Sequence, residues 1–391
     1  MARTRLFSPF TLRGLALKNR VVVSPMCQYS AVEGIADDWH LAHLNQFAMG
    51  GAGLVIVEAT GVEKRGRITH GCLGLWSDAH AQALAPLVAQ VKARGAAVGL
   101  QLAHAGRKAS ISRPWEGDCP LGPREFAKGE LTWETVGPSP LPFDEGWLVP
   151  EALTPAGIAA VIEAWCAAAR RAAAVGFDLV EIHSAHGYLS HSFLSPLSNR
   201  RGDAYGGSLG NRMRFTLELA EAVRAAWPAE RPLLVRLSCV DGKEGGWSLE
   251  DSIALARELK ALGVDAIDCS SGGIAGYGRN LLPPSTPGYQ VAYAAAIRRE
   301  AGIPTQAVGL ITGPAQAETI LRAEAADLVA LGRELLHDPY WPNHAAIALG
   351  EPDPFAGMPI QYGHWLRLRA RGMFGGRAGD SDTEALKAAQ A

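Results

Sequence analysis

The sequence predicts an α/β fold, a (β/α)8 TIM barrel. Eight short, nearly continuous apolar runs alternate with helical patterns, which is typical of parallel strands covered on both faces. A chain of 391 residues is long enough for eight such units. No GxGxxG fingerprint follows the first run, so a doubly wound open sheet is disfavoured. The predicted strands cover residues 19–25, 53–59, 97–103, 177–183, 232–238, 264–270, 303–308 and 326–331.

The helices between these strands carry recognisable end signals. Thr154 is a predicted N-cap, with Pro155 at the first helical position and Gly176 at the end of the helix. Ser248 and Asp251 stand three residues apart, which predicts a capping box at the start of another helix. These signals support the alternation of strands and helices.

Two segments lie outside this repeat. Residues 111–150 are rich in Pro, Gly and Trp and are too long for a simple loop, so they predict a lid or hairpin over the barrel mouth after the third strand. From residue 373 to 391, Gly, Asp, Ser and Ala dominate, which predicts a disordered tail. We therefore expect a single domain over residues 1–372.

Composition and charge exclude several classes of partner. The formal net charge is −2 and the basic residues form no long run, so neither nucleic acid nor a membrane surface is expected as a partner. The chain contains no apolar stretch long enough to cross a bilayer, and MARTRLFSPF lacks the apolar region of a secretory signal. Six scattered cysteines without a CxxC motif fit a reducing compartment. The expected location is the cytoplasm.

Polar and reactive residues gather where the predicted strands end. The active site of this fold lies at the carboxyl ends of its strands. The segments found there are Ser24–Ser30, Glu58–Thr60, Gln101–Ser110, His183–Pro196, Arg236, Gly309 and Gly332-Arg333. Such a distribution predicts a binding site better than it predicts a core.

The segment after the fourth strand is the most informative one. His183, His186 and Tyr188 lie within six residues, so their side chains can converge on one bound molecule. Two imidazoles can donate hydrogen bonds to a carbonyl or nitro oxygen, and a tyrosine can protonate a neighbouring carbon. The histidines could instead be structural hydrogen-bonding residues. They could also be metal ligands, although no local carboxylate or thiol completes a ligand set.

Several motifs together resemble the Old Yellow Enzyme family of FMN-dependent oxidoreductases. They are SPMCQYS, QLAHAGRKAS, HSAHGYLSHSFLSPLSNRRGDAYGGSLGNRMRF and GRELLHDP, and the resemblance extends from about Phe7 to Leu366. Cys27 with Gln28-Tyr29 is most similar to the xenobiotic-reductase or thermophilic-like branch, because the classical branch has Thr at the position of Cys27. The resemblance implies an ene-reductase that uses FMN and is reduced by NADPH or NADH.

The resemblance also implies a role for each matching residue. His183 and His186 would hold the substrate oxygen, and Tyr188 would donate the proton. The implied substrate contacts are Tyr29, Cys27, Lys108 and Trp365. The implied flavin contacts are Ser24, Pro25, Met26, Cys27 and Ala59 along the ring, Gln101 at the pyrimidine edge, Arg236 near N1 and the C2 carbonyl, and Gly309, Gly332 and Arg333 at the phosphate.

The C-terminal segment resembles the part of the family's chain that enters a neighbouring active site. Trp365 would then complete the substrate pocket of a partner in a homodimer or homotetramer. His364 stands where some relatives have an arginine, so the contact itself can differ. Alternatively, Trp365 only anchors the end of the chain.

Three other functions compete with the ene-reductase. One is a metal-dependent barrel hydrolase or lyase with His183 and His186 as ligands, and another is a non-catalytic flavin carrier. The third is a different FMN barrel, such as a dienoyl-CoA reductase-like enzyme, although the clustered cysteines of that class are missing here. The sequence does not distinguish NADH from NADPH as the reductant.

Overall fold

Eight parallel strands close into a barrel in the computed structural model, which describes residues 4–274, 282 and 284–374. The described strands are β1 (Phe10–Leu12), β2 (Leu15–Leu17), β3 (Val21–Val23), β4 (Leu54–Gly61), β5 (Ala97–Ala103), β6 (Val136–Gly137), β7 (Glu151–Ala152), β8 (Leu179–Ser184), β9 (Leu233–Ser238), β10 (Ala266–Ser270), β11 (Thr305–Ala307) and β12 (Leu328–Leu331). The barrel order is β3-β4-β5-β8-β9-β10-β11-β12, and β12 pairs with β3. The predicted fold is confirmed, and each predicted strand contains or overlaps a barrel strand.

Helices follow most of the barrel strands and cover its outside. They are α1 (Asp38–Met49), α2 (Asp78–Ala93), α3 (Pro123–Phe126), α4 (Pro155–Val175), α5 (Leu189–Leu194), α6 (Leu209–Ala226), α7 (Leu249–Ala261), α8 (Val291–Ala301), α9 (Pro314–Arg322), α10 (Arg333–His337), α11 (Trp341–Ala348) and α12 (Ile360–Phe374). Within the described residues, none of them has both the length and the apolar character needed to span a membrane.

The predicted helix ends are observed. The Thr154 hydroxyl accepts a hydrogen bond from the Gly157 amide at 3.1 Å, and α4 ends at Gly176 with a φ of +98°. Ser248 and Asp251 form the predicted capping box of α7. Local signals therefore set these boundaries, because a cap satisfies amide groups that lack a partner within the helix.

The interior of the barrel changes from apolar to polar along its axis. Leu179, Leu234 and Ala266 belong to an apolar cluster that also includes Leu12 and Leu17 of the β1–β2 hairpin. Side chains two residues apart on a strand share a face. The next positions on the same face are Glu181 on β8, Arg236 on β9 and Asp268 on β10, and the following ones are His183, Ser238 and Ser270. The hairpin closes the apolar end, and polar residues occupy the carboxyl end.

Residues 111–150 lie beside the mouth of the barrel and contain little regular structure. A 3-10 turn covers Pro114–Glu116, and α3 is a single turn. The strands β6 and β7 pair in parallel, so they do not form a hairpin, although one antiparallel bridge joins Ile111 and Pro120. The Trp133 indole nitrogen donates to the Arg65 carbonyl at 3.0 Å and ties the segment to the loop after β4.

The C-terminal helix α12 continues to Phe374 and therefore includes the first two residues of the predicted tail. The remainder of that predicted tail, residues 375–391, lies outside the described residues. The exposed apolar side chains of this helix are Ile360, Tyr362, Trp365 and Leu368.

Candidate active site

A tight turn after β8 brings the predicted catalytic residues together. His186 and Gly187 both adopt left-handed backbone conformations, with φ values of +59° and +76°. A Cβ atom at Gly187 would lie 2.1 Å from the Gly273 carbonyl oxygen, so the turn requires glycine there. The His183 ring centroid lies 5.2 Å from that of His186 and 4.9 Å from that of Tyr188, and both ring pairs are nearly perpendicular.

Both histidines of this turn are neutral. Burial, followed by the nearby charge of Arg236, lowers the pKa of His183 and His186 well below the usual value. The Ala185 amide donates to His183 Nδ1 at 3.2 Å, so that nitrogen carries no proton. The proton of His183 therefore resides on Nε2, which is a hydrogen-bond donor.

Lys108 is buried beneath the same turn. Its ammonium donates to the His186 carbonyl at 3.0 Å, and it lies 5.2 Å from the Tyr188 ring centroid and 4.4 Å from that of Phe143. Burial lowers the pKa of Lys108 to about 8. The lysine is therefore a charge enclosed by the site, whereas a lysine at a barrel mouth is ordinarily solvated.

Cys27 and Tyr29 face the same apolar cluster as Tyr188. This cluster includes two tryptophans, Trp133 and Trp147. Burial is the main cause that raises the pKa of the Cys27 thiol and of the Tyr29 phenol, so both groups are neutral.

A buried carboxyl group holds the backbone between Cys27 and Tyr29. Glu58 Oε2 accepts a hydrogen bond from the Gln28 amide at 2.9 Å. Burial raises the pKa of Glu58 to about 8. The sequence places Glu58 at a predicted strand end and indicates no role for it.

A cavity of about 360 Å³ adjoins the histidines, within the usual range for a ligand site. It brings together six of the predicted flavin contacts: Ser24, Met26, Arg236, Gly309, Gly332 and Arg333. Ser270 lines it as well, and the Ser270 hydroxyl lies 2.7 Å from His186 Nε2. The histidine turn and the cavity are thus adjacent parts of one site.

Arg236 is one of two arginines that line this cavity, and the other is Arg333. Its Nη1 donates to Ser24 Oγ at 3.0 Å and lies 3.2 Å from Asp268 Oδ2. Its buried Nε has no hydrogen-bond partner among the described residues. A buried unpaired donor next to a cavity fits a ligand with an acceptor or anionic edge, because an unpaired buried donor is otherwise costly.

Gln101 is held by a neighbouring strand. Its side-chain amide nitrogen donates a hydrogen bond to Glu181 Oε1 at 2.8 Å, so the nitrogen of the amide faces Glu181. Burial, and next the charge of Asp268, raises the pKa of Glu181 to about 8. Ala59 and Pro25 lie at adjacent strand ends, near the cavity but not in its wall. The buried donors, the cavity and the glycines that line it fit a flavin mononucleotide.

Trp365 lies apart from this cluster. It is 68% exposed on α12, and its ring contacts the ring of His364 at 5.2 Å. Within the described residues, no group of three or more His, Cys, Asp or Glu side chains could hold a metal ion.

Two buried residues beside the turn were missed by sequence reasoning. His191 on α5 lies 2.9 Å from Asp241 in the loop after β9, and neither side chain is exposed to solvent. The third histidine in HSAHGYLSH was a signal for His191. Asp241 gave no comparable signal, because its partner is 50 residues away in the sequence.

The comparisons with known proteins agree on one family. The model of the NADH:flavin oxidoreductase / NADH oxidase family matches residues 5–350. The chain is 47% identical over 361 residues to an NADPH dehydrogenase of Geobacillus thermodenitrificans (strain NG80-2), which covers 92% of this chain and 98% of that protein. An NADPH dehydrogenase of Listeria innocua serovar 6a is 48% identical over 350 residues, covering 89% and 96%.

Solved structures show the same relationship at lower identity. Morphinone reductase superposes with a TM-score of 0.71 at 28% identity, over 90% of this chain and 92% of that one. A 2-naphthoyl-CoA reductase superposes with a TM-score of 0.77 at 26% identity over 89% of this chain. The chain spans about half (53%) of the length of that reductase.

These matches disagree with the metal-dependent hydrolase or lyase and with the non-catalytic carrier that the sequence left open. The motifs, the barrel and the cavity agree with the family that these matches indicate. The chain therefore belongs to the NADH:flavin oxidoreductase / NADH oxidase family, the Old Yellow Enzyme family, and is an NAD(P)H-dependent flavin oxidoreductase with FMN as its cofactor.

Proposed function

We propose that this enzyme reduces the activated C=C bond of α,β-unsaturated carbonyl or nitro compounds. The observation that carries the proposal is the placement of two neutral imidazoles and a tyrosine beside the cavity. When bound, FMN supplies the hydride that it has received from NADPH or NADH. The protein must therefore hold the substrate oxygen, place the alkene and deliver one proton.

The proposed flavin seat combines the cavity wall with neighbouring residues at the strand ends. The residues proposed along the ring are Ser24, Pro25, Met26, Cys27 and Ala59, with Gln101 and Arg236 at the pyrimidine edge and Gly309, Gly332 and Arg333 at the phosphate. The fixed charge of Arg236 would favour the negative charge of the reduced cofactor. Its unpaired buried Nε supports this role.

The proposed grip on the substrate uses His183 and His186. The proton on His183 Nε2 is available for donation to an oxygen, and the neutral ring needs no counter-charge. Negative charge accumulates on that oxygen as hydride reaches the alkene, and two donors already in place stabilise it without reorganisation. Cys27 and Tyr29 would flank the bound substrate.

The proposed proton donor is Tyr188. Donation from its hydroxyl to the substrate carbon leaves negative charge on the phenol oxygen. The Lys108 ammonium lies 5.2 Å from the ring centroid and would stabilise that charge. Lys108 thereby acquires a role close to the substrate without a requirement for direct contact.

The test separates the two halves of the reaction. The purified enzyme is reduced anaerobically with NADPH or NADH, and is then mixed with an enone, a maleimide or a nitroalkene while the flavin absorbance is followed. Rapid reoxidation with formation of the saturated product is expected. A reduced enzyme that none of these compounds reoxidises would contradict the proposal.

We also propose a cytoplasmic homodimer or homotetramer in which residues 111–150 act as the lid and Trp365 reaches a neighbouring site. The exposed apolar side chains of α12 support the association, because contiguous exposed apolar surface commonly marks an interface. All six cysteines are free, as expected in a reducing compartment. Sedimentation should show an oligomer, and Trp365→Ala should raise the KM for the alkene. A monomeric enzyme with normal KM would contradict this arrangement.

A further inference from the structure

A buried histidine–aspartate pair lies directly behind the turn that carries His186 and Tyr188. His191 belongs to α5 and Asp241 to the loop after β9, and both side chains have 0% exposure. His191 Nε2 lies 2.9 Å from Asp241 Oδ1, close enough for a polar contact, although the angle at the ring nitrogen is not that of a straight hydrogen bond. A buried pair of this kind is costly unless its remaining polar atoms are satisfied.

The other nitrogen of His191 determines where its proton resides. The Gly187 amide donates to His191 Nδ1 at 2.8 Å. A nitrogen that accepts a hydrogen bond carries no proton, so the proton of the neutral ring is on Nε2, facing Asp241. The ring is therefore an acceptor on the side of the turn and a donor on the side of the carboxylate.

Asp241 is itself held in one orientation. Its Oδ2 accepts hydrogen bonds from the Ser195 hydroxyl at 2.6 Å and from the Trp247 amide at 2.7 Å. Burial alone would raise the pKa of Asp241. The contact with His191 and the hydrogen bonds from the Ser195 hydroxyl and the Trp247 amide lower the pKa below the usual value. The carboxylate is thus ionised, and Oδ1 faces His191.

Gly187 lies between His186 and Tyr188 in the chain, and its conformation affects the positions of both side chains. Two consecutive left-handed residues form a turn that is strained for His186, and such a conformation persists only where surrounding contacts hold it. The His186 amide donates to Ser238 Oγ at 2.9 Å, and the Gly187 amide donates to His191. The hydrogen bond from the Gly187 amide can form only in the tautomer of His191 that carries no proton on Nδ1.

We propose that His191 and Asp241 are positioning residues: Asp241 keeps the His191 proton on Nε2, and the free Nδ1 holds the Gly187 amide and thereby places His186 and Tyr188. The inference rests on the proposed roles of those last two residues. Alternatively, the pair only fills space and stabilises the fold. A positioning role predicts a defined tautomer of His191 and a selective effect on one half-reaction, whereas a purely structural role predicts neither.

Asp241→Asn is the first test. The side-chain oxygen of the asparagine would continue to accept from Ser195 and Trp247, so its amino group would face His191 Nε2. The ring must then accept at Nε2 and move its proton to Nδ1, where it opposes the Gly187 amide. Nitrogen NMR of the 15N-histidine-labelled holoenzyme should show the Nε2–H tautomer of His191 in the wild type and the Nδ1–H tautomer in the variant.

The same variant should slow only one half-reaction. Displacement of a catalytic group by about 1 Å can cost about 100-fold in rate, so we expect reoxidation by an enone to slow about 10- to 100-fold. Reduction of the flavin by NADPH should change less than about threefold, because it needs no proton from Tyr188. Equal losses in both half-reactions would identify a merely structural role.

Two substitutions of His191 form a matched pair for the case in which Asp241→Asn does not fold. His191→Asn places an oxygen near the position of Nδ1 and keeps an acceptor for Gly187. His191→Gln places its terminal amide near Nε2 and keeps only a donor for Asp241. His191→Asn should therefore reoxidise at least about tenfold faster than His191→Gln.

The controls and the contrary outcomes are distinct. His344→Asn changes a half-exposed histidine that pairs with Asp338, and both half-reactions should stay unchanged. Equal rates in the two His191 variants, or an Nδ1–H tautomer in the wild type, would overturn the inference. A wild-type enzyme that reduces no alkene would overturn the proposed function instead, and the tautomer measurement does not depend on turnover.

Discussion

Lys108 and His186 are joined by a hydrogen bond of 3.0 Å from the lysine ammonium to the backbone carbonyl of the histidine. The bond fixes a cation beneath the turn, next to the aromatic ring of Tyr188. A charge in this position affects both the turn geometry and the group proposed to lose a proton. The pH dependence of the reaction is therefore expected to depend on Lys108.

Reoxidation of the reduced enzyme should slow as the pH rises through about 8. Burial lowers the pKa of Lys108 to about 8, so the ammonium is present below that pH and is lost above it. Without that charge, the phenolate left on Tyr188 is less stable. Rapid-mixing measurements with an enone across this range should show the inflection.

Lys108→Met should remove the inflection and slow the reaction by about tenfold at neutral pH. Lys92→Met is the control, because that lysine is 42% exposed and pairs with Asp178 far from the site. An inflection that survives in Lys108→Met would assign it to a different group.

Tyr188→Phe should impair reoxidation by alkenes and leave reduction by NADPH largely intact. Removal of a general acid typically costs about 100- to 10,000-fold in the step that needs the proton. Flavin absorbance in anaerobic rapid mixing separates the two steps. Tyr205→Phe is a matched control, since that hydroxyl donates to Glu218 on the outer helix α6. Loss of both steps to the same extent would exclude Tyr188 as the proton donor.

Arg236→Lys should weaken FMN binding and make the bound flavin harder to reduce. Lysine keeps the charge, but it cannot donate to Ser24, face Asp268 and retain a further donor in the fixed geometry of the guanidinium. We expect about a tenfold higher Kd, which corresponds to about 1.4 kcal/mol. Fluorescence titration of the apoprotein with FMN measures the affinity.

The control for this change is Arg170→Lys, at an exposed arginine that pairs with Glu163. Its FMN affinity should equal that of the wild type. An unchanged Kd and redox potential in Arg236→Lys would place the flavin elsewhere in the cavity.

The contribution of Glu58 to the melting temperature should fall as the pH rises from about 4.5 to about 8, and it is measured as the difference between the wild type and Glu58→Gln. Burial raises the pKa of Glu58 to about 8, so the folded protein keeps a proton that the unfolded chain has released. The unfolded state then binds fewer protons than the folded state, and stability decreases with pH across this window. Glu58→Gln mimics the protonated group at every pH, so the melting temperature of the wild type should fall relative to that of the variant across this window.

Glu63→Gln provides a control of opposite sign. Burial alone would raise the pKa of Glu63, but His104 and Arg65 lower it to about 2. Its contribution to stability is therefore present above about pH 4.5 and lost only in more acidic solution. Between about pH 5 and pH 8 this variant should follow the slope of the wild type. Identical slopes in all three proteins would remove Glu58 as the cause.

The strand positions, the helix caps at Thr154 and Ser248 and the strand-end motifs were all readable from the sequence, because each depends on residues close together in the chain. Apolar runs, capping pairs and glycine positions report local preferences. Their order along the chain was sufficient to predict the barrel and the end at which the site lies.

Other features were decided by the tertiary structure. Barrel closure and strand register place Arg236 opposite both His183 and Asp268 and set Ser270 against His186. The pairing of His191 with Asp241 likewise joins α5, which follows β8, to the loop after β9. Burial in that assembled interior, which no local pattern encodes, makes the histidines neutral and leaves the Nε of Arg236 without a hydrogen-bond partner in the described part of the chain. The sequence identifies the residues of the site, but their protonation states and hydrogen-bond partners depend on long-range packing.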